Sequence, residues 1–398
     1  MSVESILPPG LTTVRSLRTS GSENKTGDNM ALNFEKYVIV YADDAYSMYN
    51  RDTAVHMRDR LSAECGFAPE IRSDVEPAAE HEFLIGRTGR PESVALYAGA
   101  DCPQRMHYTV CRVGGKLLAA GNDWFSDKMA VDALCDAIAA GDAEKAFGKN
   151  IRLLGDFPAR RGTLRALSYN ILVEYVNWGC GGLLEGPVHK RAEAITGIIE
   201  GISPDLICLC EVFERWAATL PEYLGKRYNF LRLDREEYSC NRTVLLYDKR
   251  VFREIESGYD DIPVFRSVNN RILAWGLLER RSDGKRLLVF GTHWECTTDE
   301  DRVKQGTHMA ELMREKIDIY GCESICAGDF NCVSPNMAYK NFVEKSGLRD
   351  AEEGHVPEWS VDHIFVSDKI QVTQCERIME NCTQYASDHK PLFCDFEL

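Results

Sequence analysis

No run of apolar residues in this 398-residue sequence approaches the roughly 20 needed to span a bilayer, and residues 1–30 lack the apolar stretch of a secretory signal. A cytoplasmic protein without membrane insertion is expected. The 15 cysteines contain no C-x-x-C pair and are odd in number, and Cys208, Cys210 and Cys326 sit inside apolar runs. Reduced, buried thiols are expected in preference to a disulfide framework or a structural zinc site. Basic residues are also short: 47 Lys and Arg stand against 62 Asp and Glu, for a net charge of -15. That excess repels phosphate backbones and disfavours a broad, sequence-blind nucleic-acid surface, while leaving room for a small pocket that takes one phosphate.

What remains is ordinary globular material, 44% hydrophobic and 27% charged. Residues 1–30, rich in Ser, Thr, Asn and Gly, read as a mobile leader unable to bury enough surface to order itself. The stretch Gly155 to Gly162 (GDFPARRG) reads as a linker between two parts, 31–155 and 163–398. In the first part, YVIVY (Tyr37 to Tyr41) and EFLIG (Glu82 to Gly86) suit buried strands, and Gly114-Gly115 between two strand-like runs signals a hairpin. A helix is expected after Ser126, with Val131, Leu134 and Ile138 on one face and Gly141 as its stop. The result is a small α+β module. Asp43-Asp44 reads as a solvated loop, and no catalytic constellation stands out in this part.

The second part repeats one theme, an apolar strand ending in a polar residue able to meet metal or phosphate. LRALS leads to Tyr169-Asn170, LICLC delivers Glu211, LLVF leads through Gly291-Thr292 to His293, and SICAG presents Asp329 and Asn331. Asp362 lies in VDHIFV, and Ser387-Asp388-His389 precedes the last strand, PLFCDF. Between these runs, Val188, Ile195, Ile198, Ile199 and Ile202 mark a helix that must stop before Pro204. Val303, Met309, Ala310, Met313 and Ile317 mark another, stopped at Gly321.

The ordered set N-I-L, P-D-L-I-C-L-C-E-V, G-T-H, G-D-F-N, V-D-H-I-F-V-S and S-D-H-K-P-L resembles the endonuclease/exonuclease/phosphatase superfamily of DNase I-like metal-dependent phosphohydrolases, over residues 163–398. The first part, with FLIGRT and YTVCRVGGKLLAAGNDWFSDKMAVDAL, resembles the small α+β accessory domain of some bacterial glycoside hydrolases, which implies scaffolding rather than chemistry. The superfamily resemblance implies an α/β sandwich of two mixed sheets flanked by helices. It also implies an Mg²⁺-dependent phosphatase or phosphodiesterase, with Mn²⁺ able to substitute.

Hard cations choose oxygen donors, and Glu211, Asp388 and Asn170 offer them. The resemblance further implies that Asp329 aligns the attacking water, Asn331 binds the phosphoryl group or fixes that water, and His293 and His389 donate to phosphoryl oxygens. Asp362 then orients His389. A small phosphate ester is the expected substrate, because no basic stripe with interleaved aromatics tracks a polynucleotide; nucleic-acid cleavage is the alternative. His363 reads as packing. Arg302 and Gln305 read as a contact between helix and loop, and the loop 177–186 as either connector or substrate neighbour.

Overall fold

A computed structural model describes residues 33–44, 47–122, 124–153, 157–173, 188–231, 242–263, 271–379 and 386–398. The leader over residues 1–30 and the loop 177–186 lie outside the described residues. The first elements are β1 (Val38–Tyr41), α1 (Ser47–Cys65), β2 (Ile71–Ser73), β3 (Glu82–Ile85), α2 (Pro91–Ala98), β4 (His107–Val113), β5 (Lys116–Gly121), α3 (Trp124–Ala139) and β6 (Gly148–Arg152). They build one sheet in the order β2-β1-β3-β5-β4-β6. β1, β2, β3 and β5 run parallel, and β4 returns antiparallel to β5 through the Gly114-Gly115 hairpin, where Gly114 takes φ +61°. Helix α3 starts two residues before Ser126. The Ser126 hydroxyl lies in its first turn and accepts the Asn122 N–H at 3.1 Å, while Asp127 accepts Gly121 N–H at 2.6 Å. A side chain that caps from inside the turn looks the same in sequence as one at the boundary.

The later elements are β7 (Leu164–Asn170), α4 (Val188–Ile202), β8 (Leu206–Val212), α5 (Glu214–Leu224), β9 (Tyr228–Leu231), β10 (Arg242–Asp248), β11 (Phe252–Ile262), β12 (Arg271–Arg280) and β13 (Arg286–His293). After them come α6 (Asp299–Tyr320), β14 (Glu323–Asp329), α7 (Met337–Ser346), β15 (Arg349–Asp350), β16 (Asp362–Val366), β17 (Gln371–Arg377) and β18 (Leu392–Glu397). Two further six-stranded sheets result, β17-β18-β7-β8-β10-β9 and β11-β12-β13-β14-β16-β15.

Strand alternation assigns the faces. On β8, Leu206, Cys208 and Cys210 join Leu245, Val289, Ile325, Ile364 and Leu392 in the core between these two sheets. Ile207 and Leu209 point the other way, into a cluster with Ile195, Ile198 and Ile199 of α4 and Leu220 of α5. On the far side, Met309 and Met313 of α6 and Phe342 of α7 cover the second sheet with Trp294 and Phe330. Each such side chain, fully buried, contributes ~1.5–3 kcal/mol. The architecture is therefore an α/β sandwich of mixed sheets flanked by helices, with a smaller sheet-and-helix layer built from the residues before it.

The helix signals act where the sequence placed them. α4 ends at Ile202, and the next residue, Ser203, takes φ +54° before Pro204. α6 opens with the Thr298 hydroxyl accepting Asp301 N–H at 3.1 Å and closes on left-handed Gly321. The described residues just before β7 are fastened to the sandwich: Arg160 bonds Asp205 at 2.5 Å, and Arg161 N–H donates to Asp395 at 2.7 Å. Glu35–Leu398 forms one compact unit. The 12 described cysteines are free, and among the described residues no helix is long and apolar enough to cross a membrane.

Candidate active site

Register brings the candidate side chains together. Parallel β7 and β8 pair Asn170 with Cys210, so Glu211 falls one residue past the pair. β13 and β14 pair His293 with Asp329, and β14 and β16 pair Asp329 with Asp362. These three side chains therefore stand on neighbouring strands, one inter-strand spacing apart. The close approach of β13 and β14 requires Gly328, at φ +156°, because a Cβ there would lie 2.0 Å from the Thr292 carbonyl oxygen.

Asn170 is buried, and its amide nitrogen lies between two carboxylates, 3.0 Å from Glu211 Oε1 and 3.0 Å from Asp329 Oδ2. Its Oδ1 accepts Leu172 N–H at 3.0 Å. Glu211 takes φ +65°, a conformation that costs a non-glycine residue roughly 1–2 kcal/mol. Its Oε2 accepts Val173 N–H at 2.8 Å. Asp329 Oδ1 accepts Asn331 N–H at 2.9 Å, and its Oδ2 lies 3.4 Å from His293 Nε2 and 3.8 Å from His389 Nε2. His389 Nδ1 lies 2.7 Å from Asp362 Oδ2. The Ser387 hydroxyl donates to the Asn170 carbonyl at 2.6 Å, which ties the His389 turn to the end of β7.

The electrostatics follow from burial and neighbours. Burial, with the Asp362 charge added, pushes the Asp329 carboxyl up to about 6, against the pull of His389, Asn331 N–H and Asn170. Burial lowers His293 well below its ordinary value, and Arg271 and His389 add to this, so its imidazole is neutral. Burial also works against charge on His389, but Asp362, Asp329 and Asp388 outweigh it and push the imidazole up to about 11.

Asp329, Asp362 and His389 are close enough to share an ion. A protonated imidazole, however, has no lone pair to offer a metal and itself neutralises the two carboxylates it touches. The donors left over are oxygens: the Glu211 carboxylate, the exposed Asp388 carboxylate and Asn170 Oδ1, a set that suits a hard divalent cation. Among the described residues, His293 Nδ1 and Asp362 Oδ1 are buried without a hydrogen-bond partner, so the site has polar capacity beyond what these residues satisfy.

Asn170, Glu211, His293, Asp329, Asp362 and His389 thus form one cluster. Asn331 sits at φ +48° with its side-chain amide turned to the Trp294 carbonyl at 2.9 Å, and Asp388 is exposed on the neighbouring turn. His363 lies elsewhere. It is fully buried, with Nδ1 3.0 Å from Asp350 and Nε2 3.0 Å from the Cys332 carbonyl, among Phe330, Tyr339 and Phe365. Arg302 donates to the Glu295 carbonyl at 3.3 Å, and Gln305 accepts Glu295 N–H at 2.9 Å, a contact between helix and loop. Sequence reasoning missed the acidic neighbour of His293, which is Asp329, because a parallel register supplies it. It also missed Arg191, a buried arginine whose position at the start of an apolar helix was the available signal.

The model of the Endonuclease/Exonuclease/phosphatase family matches residues 167–389, more than half of the chain. The chain belongs to this family. The chemistry of this family is hydrolysis of phosphoric esters. Nocturnin of Drosophila melanogaster is 24% identical over 308 residues, 61% of this chain and 48% of that protein. The chain therefore spans about half the length of this curated relative. Among solved structures, a mannosyl-6-phosphatase of Bacteroides thetaiotaomicron has a TM-score of 0.51 at 22% identity, covering 59% of this chain and all of its own. A family protein of Bacteroides vulgatus has a TM-score of 0.51 at 20% identity, covering 59% and 98%. These likenesses show the family's sandwich fold.

Proposed function

We propose that the protein is an Mg²⁺-dependent phosphatase or phosphodiesterase acting on a small phosphate ester. One observation carries this reading: the carboxylates of Asp329, Asp362 and Asp388 act on a single imidazolium, His389, and the Asn170 amide ties Glu211 to Asp329, leaving a local excess of negative charge that a divalent cation and a phosphate together would complete. Glu211, with Asp388 and Asn170 Oδ1, would hold the ion. When bound, Mg²⁺ would neutralise phosphoryl oxygens and the developing charge on the leaving oxygen, and Mn²⁺ could substitute.

The protein's own groups do the rest. Asp329, held by Asn170 and Asn331 N–H, accepts a hydrogen bond from the attacking water and aligns it. His389, kept charged by Asp362, donates to a phosphoryl oxygen as charge builds there. His293 contributes a neutral imidazole beside Asp329, and Asn331 fixes the turn that presents them.

The net charge of -15 supports a small ester over a polynucleotide. Free cysteines support a reducing, cytoplasmic compartment. We also read residues 31–155 as an accessory domain and 163–398 as the catalytic one.

The test assays the whole chain on a chromogenic phosphomonoester, a chromogenic diester, a single-stranded oligonucleotide and supercoiled plasmid, each with Mg²⁺ and with chelator. Hydrolysis of a small ester that chelation abolishes is expected. Cutting of plasmid or oligonucleotide with indifference to small esters would overturn the substrate class, and activity that survives chelation would overturn the metal.

A further inference from the structure

Arg191, in the first turn of α4, is buried beneath the two segments that carry the site. Its Nη1 donates to the carbonyls of Ile171 at 2.9 Å and Ala386 at 3.0 Å, and its Nη2 to those of Leu172 at 3.0 Å and Val173 at 2.8 Å. Ile171 to Val173 directly follow Asn170, and Val173 N–H holds Glu211. Ala386 directly precedes Ser387, Asp388 and His389. The Trp216 ring lies 5.0 Å from the guanidinium, and its indole N–H donates to the Leu172 carbonyl at 3.0 Å. One planar cation thus joins the segment carrying Asn170 to the turn carrying His389. The short, single-point ammonium of lysine cannot reproduce this fork.

The same helix is gripped from its other side by the turn leading into β4 of the N-terminal sheet and by α3. Arg105 donates to Glu193 at 2.6 Å and Glu200 at 3.2 Å, bonds Thr196, and lies 5.2 Å from the Tyr223 ring. Met106, at φ +59°, enters the cluster of Ile195, Ile198 and Ile199 together with Phe125 of α3. Two glycines make room. A Cβ on Gly197 would stand 2.7 Å from Met106 Sδ, and one on Gly201 would stand 2.0 Å from the Phe157 ring. A glycine inside a helix costs about 1 kcal/mol relative to alanine, so close docking accounts for two of them on one face.

We propose that Arg191 is the positioning residue of this active site, setting the distance between the Asn170–Glu211 side and the His389 side, and that the N-terminal sheet is the brace that fixes the helix bearing it. The activity part of this inference rests on the metal-dependent hydrolase reading; the structural part does not. Misplacing reacting groups by about 1 Å costs up to ~10²-fold in rate, which sets the expected scale.

The test compares the whole chain with Arg191→Lys and Arg105→Ala, by kcat and KM, by the Mg²⁺ concentration for half activation, and by hydrogen exchange at the amides of Val173 and His389. Arg191→Lys is expected to lower kcat by ~10-fold or more with KM nearly unchanged, to raise the Mg²⁺ requirement, and to speed exchange at both amides. Arg105→Ala is expected to do the same on a smaller scale, about threefold, with the fold intact. Where Arg191→Lys does not fold, Arg105→Ala alone decides. Wild-type exchange at Val173 and His389 in either folded variant overturns the proposal, as does an unchanged Mg²⁺ requirement beside a lowered kcat. Faster exchange in a chain that hydrolyses no phosphate ester at all keeps the positioning role and rejects the hydrolase reading.

Discussion

Three histidines show how little residue type decides without position. His293 and His389 both lie within 4 Å of Asp329, yet burial makes one neutral while Asp362 keeps the other charged. His363, one residue past Asp362, points to the opposite face and bridges Asp350 and the Cys332 carbonyl. The expected outcomes separate accordingly. His389→Ala or Asp329→Asn is expected to lower kcat of the folded protein by ~10²–10³. His363→Phe takes one hydrogen bond from the Cys332 carbonyl and one from the Asp350 carboxylate, which keeps Tyr339 and Glu352 N–H, costing roughly 1–3 kcal/mol of stability while kcat/KM of the folded protein stays within about twofold. Steady-state kinetics beside denaturant unfolding distinguish the two patterns. The residues of the cluster were legible because each borders an apolar run with an oxygen or imidazole group. The Asn170 bridge between two carboxylates and the positive φ of Glu211 were not, because both depend on partners distant in the chain.

At the scale of elements, strands and helices were readable from periodicity and from their stops, as in the Ile195, Ile198, Ile199 and Ile202 stripe closed by Pro204. Pairing was not, since no local pattern says that β13 lies parallel beside β14 or that Gly328 must let them close. Gly328→Ala drives a methyl group into the backbone oxygen of Thr292, and a loss of at least about 2 kcal/mol is expected, seen as a lower unfolding midpoint together with lost activity.

The end of β10 gives a pH dependence. Burial acts to raise Asp248, but hydrogen bonds from Arg250 and Arg227 prevail and lower it to about 2 from an ordinary 3.8. A depressed carboxyl stabilises the fold above its unfolded value and ceases to do so as pH falls through the folded one. Asp248→Asn should therefore be less stable than wild type at neutral pH and show a flatter loss of stability between about pH 4 and pH 2 in acid-unfolding curves.

Across the whole molecule, the sheet of residues 38–152 and the sandwich share one apolar cluster, with Met106 and Phe125 packed among residues of α4 and α5. Units that share a core unfold together. Scanning calorimetry of the intact chain should record one cooperative transition, and two independent transitions would contradict the shared core. The acidic surface should keep the protein from retaining duplex DNA at low salt. The register that lines up His293, Asp329 and Asp362 has an evolutionary corollary. Because sheet geometry sets the spacing of the reactive groups, the segments that cross over between those strands can be lengthened, shortened or exchanged without disturbing it. A lineage can then acquire new substrate preferences by remodelling its rim while inheriting the same chemistry unchanged.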